Sequence, residues 1–232
     1  MAIATLGGCK FYTKEDLSEY TKRRLKEEYG EEFEIKTVVD GYEASAYPVN
    51  NPELLFRTWY VMSNGNGHNT YKQEVVANQY KEIALESFKD FPYEYYINVD
   101  VTWKKNLESA DQNATIEQYN DLNGTSDVKY EIYISSSALE LTNEEILELL
   151  NSIANSSKHE NCDILLCFVT DNDLTTTKEA YSLYSYPIGS LNSLILDKYK
   201  TLGQYKKEKK LLKTIDDIYE WMEEIRNDEV YR

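Results

Sequence analysis

The chain of 232 residues is long enough for one large domain or two small ones with a substantial core. Its 25 Lys and Arg stand against 41 Asp and Glu, which gives a formal net charge of −16. This charge opposes approach to phosphate backbones and to anionic lipid headgroups, so it argues against nucleic-acid partners and against direct adsorption to a membrane. The sequence also lacks an apolar segment of the length that a membrane-spanning helix needs.

The N-terminal stretch, MAIATLGGCK, bears on the location of the protein. Leu6-Gly7-Gly8-Cys9 resembles the lipobox of bacterial lipoproteins, in which a leucine and two small residues precede the cysteine that becomes lipidated. The resemblance implies that residues 1–9 are the remnant of a lipoprotein signal, and that a lipid on Cys9 is the only attachment of the protein to a membrane. The alternative is a cytosolic chain whose first strand packs Leu6 and Cys9.

Residues 10–103 are predicted to form an α-β-β-β-α-β unit. Thr13 and Asp16 have the spacing of a capping box for the first helix, and Gly30 is suited to end that helix. The segment Phe33–Val39 alternates as a strand, and the Asp-Gly pair that follows it predicts a hairpin to a second strand.

The third strand is predicted within Glu53–Met62, whose two faces are both largely apolar, as in a central strand. A Gly- and Asn-rich turn and a helix that ends before Pro92 follow it. Residues 93–103 then alternate between an apolar and a polar side, so the polar side is expected to face solvent. The polar side carries Glu94, Tyr96, Asn98 and Asp100.

A second resemblance covers the opening of this unit. The sequence RRLKEEYGEEFEIKTVV, followed by a hairpin, a strand, a loop and a helix, is similar to the opening of small α+β domains in uncharacterised exported proteins of Gram-positive bacteria. The similarity covers the first helix, the YGEEFE turn and the order of the elements to about residue 103. It carries no catalytic motif, and it implies an extracytoplasmic domain in such a bacterium.

Residues 104–127 are polar and are predicted to connect two halves of the chain, which form either two related units or one domain. Residues 128–232 are predicted to form a β-α-β unit with a C-terminal helix. On the first strand of this unit, Glu131 and Tyr133 alternate with apolar residues, so they are expected on its exposed side.

Three further patterns describe the second half. Thr142 and Glu145 have the spacing of a capping box, and residues 163–170 have the composition of a central strand. The stretch from 171 to 189 shows no regular pattern. The lysine-rich run before the C-terminal helix would oppose the helix dipole, so it is predicted to be a separate turn, with Thr214 as the helix N-cap.

Two His and three Cys limit the chemistry that the chain offers. His159 and Cys162 form a lone HxxC pattern, which is more typical of a loop beside a buried cysteine than of a zinc site. Cys162 and Cys167 fall on opposite faces of one strand and cannot pair. An enzyme would need His68 or His159 in a pocket with a cysteine or a carboxylate. No cofactor, metal site or catalytic residue is predicted.

These observations predict an α+β protein with a mixed or antiparallel sheet and helices packed on one face. The predicted function is that of a non-enzymatic, extracytoplasmic, lipoprotein-like module that binds an unknown protein or small molecule. Its binding face would consist of the strand positions Glu94, Tyr96, Asn98, Asp100, Glu131 and Tyr133. The alternative is an acidic immunity or inhibitor protein that neutralises a basic toxin or enzyme, in which charge complementarity speeds association. That alternative predicts acidic groups concentrated on one concave face.

Overall fold

The fold is that of a computed structural model of the whole chain. It describes residues 12–39, 41–102, 115–118, 127–157, 162–183, 199, 201–207, 210–211 and 215–231. The predictions made for Cys9, His159 and Thr214 lie outside the described residues.

Contacts along the chain divide it into two compact units, Met1–Asn69 and Thr70–Arg232. The division falls before the second helix and differs from the predicted connection at residues 104–127. The physical reason is that this helix packs on the strand that follows it, and that strand is paired into the second sheet. The stretch predicted as one central unit therefore contributes to both units.

The first unit contains one helix and a four-stranded antiparallel sheet in the order β1-β2-β3-β4. Its elements are α1 (Lys14–Tyr29), β1 (Phe33–Val38), β2 (Glu43–Pro48), β3 (Phe56–Tyr60) and β4 (Gly67–Asn69). The predicted capping box is confirmed, because Thr13 accepts a hydrogen bond from the backbone of Asp16 and the Asp16 side chain accepts one from the backbone of Thr13. Gly30 ends α1 in the left-handed conformation, with φ of 76°.

α1 contributes the buried side chains of Leu17 and Leu25, and it contacts β1 and β3. The strands supply Phe33, Phe56 and Tyr60 to the buried side. β4 is a finding of the structure, because its three residues lie in the stretch predicted to be a turn. Such a short strand has no alternation to reveal it and is defined by its pairing with β3.

The second unit contains a five-stranded sheet in the order β5-β6-β7-β8-β9. Its elements are α2 (Tyr71–Glu86), β5 (Tyr95–Thr102), β6 (Asp127–Ser135), α3 (Asn143–Ser156), β7 (Cys162–Val169), α4 (Asp171–Leu183), β8 (Thr201–Lys207), β9 (Lys210–Leu211) and α5 (Ile215–Arg226). β6 and β7 are parallel and the other neighbours are antiparallel, so the sheet is mixed. The predicted α+β class and the β-α-β order of β6, α3 and β7 are confirmed. Among the described residues, no helix has the length and apolarity of a membrane span.

Local signals explain most of these boundaries. Thr142 and Glu145 form the predicted capping box at the start of α3. β7 is central in the sheet, as its apolar composition predicted, and Cys162 and Cys167 are buried free thiols. The lysine-rich run belongs to the β8–β9 hairpin and not to α5, which agrees with its predicted separation from the helix.

The two faces of this sheet carry different helices. Ile97, Val99 and Val101 of β5 are buried on one face, which is packed by α2. On the same face, Phe168 of β7 contacts Trp221 of α5, and α3 packs against α5. The prediction of helices on one face thus describes α2, α3 and α5, whereas α4 lies on the opposite face.

α4 corrects the prediction that residues 171–189 are irregular. Thr175, Thr176 and Thr177 donate their hydroxyls to carbonyls one turn back, so the polar groups that usually compete with a helix are satisfied within it. Leu174 and Tyr181 are buried at helical spacing. Three consecutive threonines have a low helix propensity, which hid the helix from the sequence analysis.

Candidate functional site

The structure brings five of the six predicted binding residues together. In the pairing of β5 with β6, Tyr96 lies opposite Tyr133 and Asn98 lies opposite Glu131. Asp100 lies opposite Lys129. These side chains therefore share one face of the sheet. Glu94 lies apart, ahead of β5, where its carboxylate pairs with Lys178 of α4 at 2.5 Å.

The predicted exposure is wrong for two of these residues. Glu131 is 2% exposed and Tyr133 is 1% exposed, because α4 covers their part of the sheet. Tyr96, Asn98 and Asp100 are half-buried. The polar side of these strands is thus a half-covered site and not an open surface.

Glu131 lies at the centre of this site and is held by three donors. Lys129 Nζ is 2.7 Å from Oε1. On the other oxygen, the Tyr181 hydroxyl donates at 2.9 Å and Asn98 Nδ2 donates at 3.2 Å. Hydrogen bonds to a charged acceptor are the strong kind, and they compensate for the loss of water around a buried carboxylate. We call the residues Tyr96, Asn98, Asp100, Lys129, Glu131, Tyr133 and Tyr181 the Glu131 cluster.

Tyr181 joins α4 to this cluster. Its ring lies 5.0 Å from the ring of Tyr96 and 6.5 Å from that of Tyr133. Burial, and then the charge of Glu131, raise the pKa of Tyr181 far above its ordinary range. The same two causes raise the pKa of Tyr96 and of Tyr133. All three phenols therefore remain protonated and act as donors or aromatic walls, not as bases.

Asp100 and Lys129 form the more open side of the cluster. The Lys129 side chain is 38% exposed, whereas that of Glu131 is 3% exposed. Burial first, and then the charge of Glu131, raise the pKa of Asp100 above its ordinary value of 3.8. Lys129 and a hydrogen bond from the backbone of Val101 act in the opposite direction and are smaller. Asp100 is the carboxylate of the cluster that a ligand can reach and whose charge is least compensated.

The arrangement suits recognition better than proton transfer. The oxygens of Glu131 already accept from three protein donors, so this carboxylate is fixed in place. A polar ligand on the open side would meet a carboxylate, an ammonium and an amide beside tyrosine rings. Lys129 alternates with Glu131 on one strand, so its place in the site was visible in the sequence. Tyr181 was not, because its helix was not predicted.

The remaining candidates from the sequence lie elsewhere. His68 is exposed on β4 of the first unit, where its ring stacks on Trp59 at 4.7 Å. Arg57 lies over the same indole at 4.4 Å and pairs with Glu43 at 2.6 Å. Burial raises the pKa of Cys167 to about 12, so its thiol is a poor nucleophile. Within the described parts of the chain, no three metal-ligating side chains come together.

A second polar group lies at the carboxyl ends of β6 and β7. Ser135 donates to Asp171, and Tyr199 donates to Asp173. Thr170 and Tyr199 are joined at 3.2 Å. These side chains satisfy one another and tie the start of α4 to the sheet, so the group reads as a structural connection.

The outer surface of α3 and α5 is acidic. The two helices pack against each other, and the Tyr219 hydroxyl of α5 donates to Glu144 of α3 at 3.4 Å. Their one basic residue, Arg226, donates to the carbonyls of Leu139 and Leu141 at 3.0 Å and 2.5 Å. The exposed carboxylates of this acidic face are Glu144, Glu145, Glu148, Asp216, Glu220, Glu223 and Glu224.

No family model and no curated protein matches the chain. Among solved structures, a DUF5037 family protein from Ruminococcus gnavus is similar to it, with a TM-score of 0.71 and 17% sequence identity. The similarity covers 89% of this chain and 99% of that one. At this identity the comparison establishes a shared fold.

Proposed function

We propose that this protein is a non-enzymatic binding module that acts outside the cytoplasm of a Gram-positive bacterium, and that its ligand site is the open side of the Glu131 cluster. The observation that carries the proposal is the buried carboxylate of Glu131, held by Lys129, Asn98 and Tyr181 in the middle of a sheet face. A buried ion pair contributes little net stability, because desolvation offsets most of the attraction. Groups of this kind concentrate at functional sites.

The cellular part of the proposal rests on the N-terminal sequence. The lipobox-like Leu6-Gly7-Gly8-Cys9 supports lipidation at Cys9, and the acidic chain would otherwise be repelled by anionic headgroups. A lipid anchor would hold the module at the outer surface of the membrane, where it meets its ligand.

The intact mass and detergent partitioning of the native protein, isolated from its own host, test the location. A diacylglycerol-sized mass increment, with detergent-dependent extraction, is expected for the wild type and should be absent in Cys9→Ser. An unmodified wild-type chain that stays in the aqueous phase would overturn the extracytoplasmic part of the proposal.

The ligand site is tested separately by capture from the soluble and cell-wall fractions of a Gram-positive culture. Wild type and Asp100→Leu are immobilised, and the retained small molecules are identified by mass spectrometry. Asp90→Leu is the matched control, because Asp90 is exposed outside the cluster. A compound retained by wild type and Asp90→Leu but lost from Asp100→Leu supports the site. Equal retention by all three proteins contradicts it.

A second candidate function is that of an acidic immunity or inhibitor protein. The acidic face of α3 and α5 favours it, since a single arginine stands among seven exposed carboxylates. Such a face would speed encounter with a basic toxin or enzyme, and the association rate would fall steeply with salt.

Charge reversal tests this alternative. A variant with Glu220→Lys and Glu223→Lys should lose the salt-dependent part of association with a basic partner. The control carries Glu15→Lys and Glu27→Lys, which lie exposed on α1 in the first unit. Equal losses in the two variants would mean that net charge alone, and not this face, attracts the partner.

A further inference from the structure

We infer that the open side of the Glu131 cluster receives a primary ammonium group of its ligand, an inference that rests on the ligand site proposed above. It concerns the class of ligand and follows from three features of the site: its charge balance, its free acceptor geometry and its aromatic walls.

The cluster is short of positive charge. Lys129 pairs with Glu131 at 2.7 Å, and Lys81 of α2 places its ammonium 5.1 Å from the centre of the Tyr96 ring. Against these two cations stand three carboxylates, those of Glu131, Asp100 and Glu74. The charges of Glu131 and Glu74 both act on Tyr96, and the charge of Glu131 acts on Asp100. One negative charge in this half-buried region is therefore not balanced by a neighbouring cation.

The hydrogen-bond directions locate the acceptors for a ligand. Glu131 already accepts from three donors, so it offers little to a newcomer. Asn98 donates through Nδ2, which leaves its Oδ1 as the atom that it presents to a ligand. Asp100 is two residues further along β5, on the same side of the strand. An amide oxygen and a carboxylate at neighbouring outward positions are both acceptors, and they call for a donor.

A primary ammonium group fits this combination. It carries three donors and a full positive charge, and it is attracted to the face of a tyrosine ring. The position of Lys81 over Tyr96 shows that this ring already accepts an ammonium from within the protein. An anionic ligand would meet the unbalanced carboxylate, and a neutral alcohol would leave that charge uncompensated. The shared chemistry can come from a small amine or from a lysine side chain of a peptide.

The probes are butylamine, its neutral isostere butanol and a short blocked peptide with one lysine. Binding is followed on the full chain by the carboxyl ¹³C signals of Asp100 and Glu131 during titration at neutral pH. Butylamine or the peptide should shift the Asp100 signal in a saturable way and lower the pKa of Asp100, whereas butanol should not. The probe that binds more tightly identifies the source, a small amine or a lysine side chain.

Asp100→Asn keeps the shape of the side chain and removes its charge. It should weaken binding of the better amine about tenfold, the change expected for the loss of one favourable charge contact of about 1.4 kcal/mol. Asp90→Asn should leave the affinity unchanged. Unfolding of the Asn variant is monitored alongside, so that a loss of binding is not mistaken for a loss of fold.

Two results would overturn the inference. Equal shifts with butylamine and butanol would show a site without preference for ammonium, which leaves the proposed ligand site standing. No shift at Asp100 with either amine would exclude ammonium binding there, while capture of another compound that depends on Asp100 would still support the site. Failure of the proposed function itself is read from the capture experiment, in which Asp100→Leu retains every compound that the wild type retains.

Discussion

The exchange of Tyr181 for Phe tests the role of α4 in covering the Glu131 cluster. The substitution removes only the hydroxyl that donates to Glu131 at 2.9 Å. The ring remains, so its contact with Tyr96 at 5.0 Å is kept. The buried carboxylate is left with two donors, from Lys129 and Asn98.

The expected loss follows from the kind of bond that is removed. A hydrogen bond to a charged group contributes about 1.5–3 kcal/mol, and Glu131 is too buried for water to replace the missing donor. The other charged contact of α4 with β5 is the exposed pair of Lys178 and Glu94, which contributes about 0–1 kcal/mol. Tyr181→Phe is therefore expected to lower the free energy of local opening of α4 by about 1.5–3 kcal/mol.

Native-state hydrogen exchange of the α4 amides measures this opening directly, and denaturant unfolding of the full chain measures the global effect. Tyr219→Phe is the matched control, because Tyr219 is 51% exposed and its hydroxyl bonds only a surface carboxylate at 3.4 Å. The control should change stability by no more than about 0.5 kcal/mol. If Tyr181→Phe has the same small effect on the α4 amides, the hydroxyl does not hold α4 on the cluster.

Three further predictions concern single positions. Because the folded protein raises the pKa of Asp100, the protonated form is favoured on folding, and this residue lowers stability increasingly as pH rises above 3.8. Asp100→Asn should therefore stabilise the protein at neutral pH and lose this advantage below pH 3.8, as read from denaturant midpoints; destabilisation at neutral pH would contradict the argument. Gly67→Ala would place a Cβ 2.3 Å from the carbonyl of Trp59, so it should cost about 1–3 kcal/mol and release β4, whereas Gly41→Ala meets no atom within 4 Å and should be neutral in the same unfolding assay. Thr142→Ala removes the cap of α3 and should cost about 1 kcal/mol in thermal or denaturant unfolding; an unchanged midpoint would mean that the cap is not formed in solution.

Local sequence determined the parts of the fold whose signals are short in range. The capping pair of Thr13 and Asp16 set the start of α1, and Gly30 set its end, because both act through hydrogen bonds within one turn. Alternation along β5 and β6 assigned Tyr96, Asn98, Asp100, Glu131 and Tyr133 to one side of their strands. Pairing of those strands then placed them on one face, as the alternation predicted.

Tertiary structure decided whether that face is open or covered. Exposure of a strand residue depends on what packs above it, and here the covering residue, Tyr181, lies 50 residues from Glu131 in the chain. The helix that carries Tyr181 has three adjacent threonines, which are weak helix formers until their hydroxyls bond to the preceding turn. The same is true of the boundary between the two units, which follows the packing of α2 on β5 and not the polarity of residues 104–127.

The sequence by itself therefore determined the acidic charge, the α+β class, most element boundaries and the membership of five residues in one site. Only the tertiary structure decided that Glu131 is a buried, triply bonded centre, that Asp100 forms its open side and that Tyr181 joins them. The physical reason is that periodicity records on which side of a strand a residue lies, whereas burial and charge balance are set by elements that are distant in sequence.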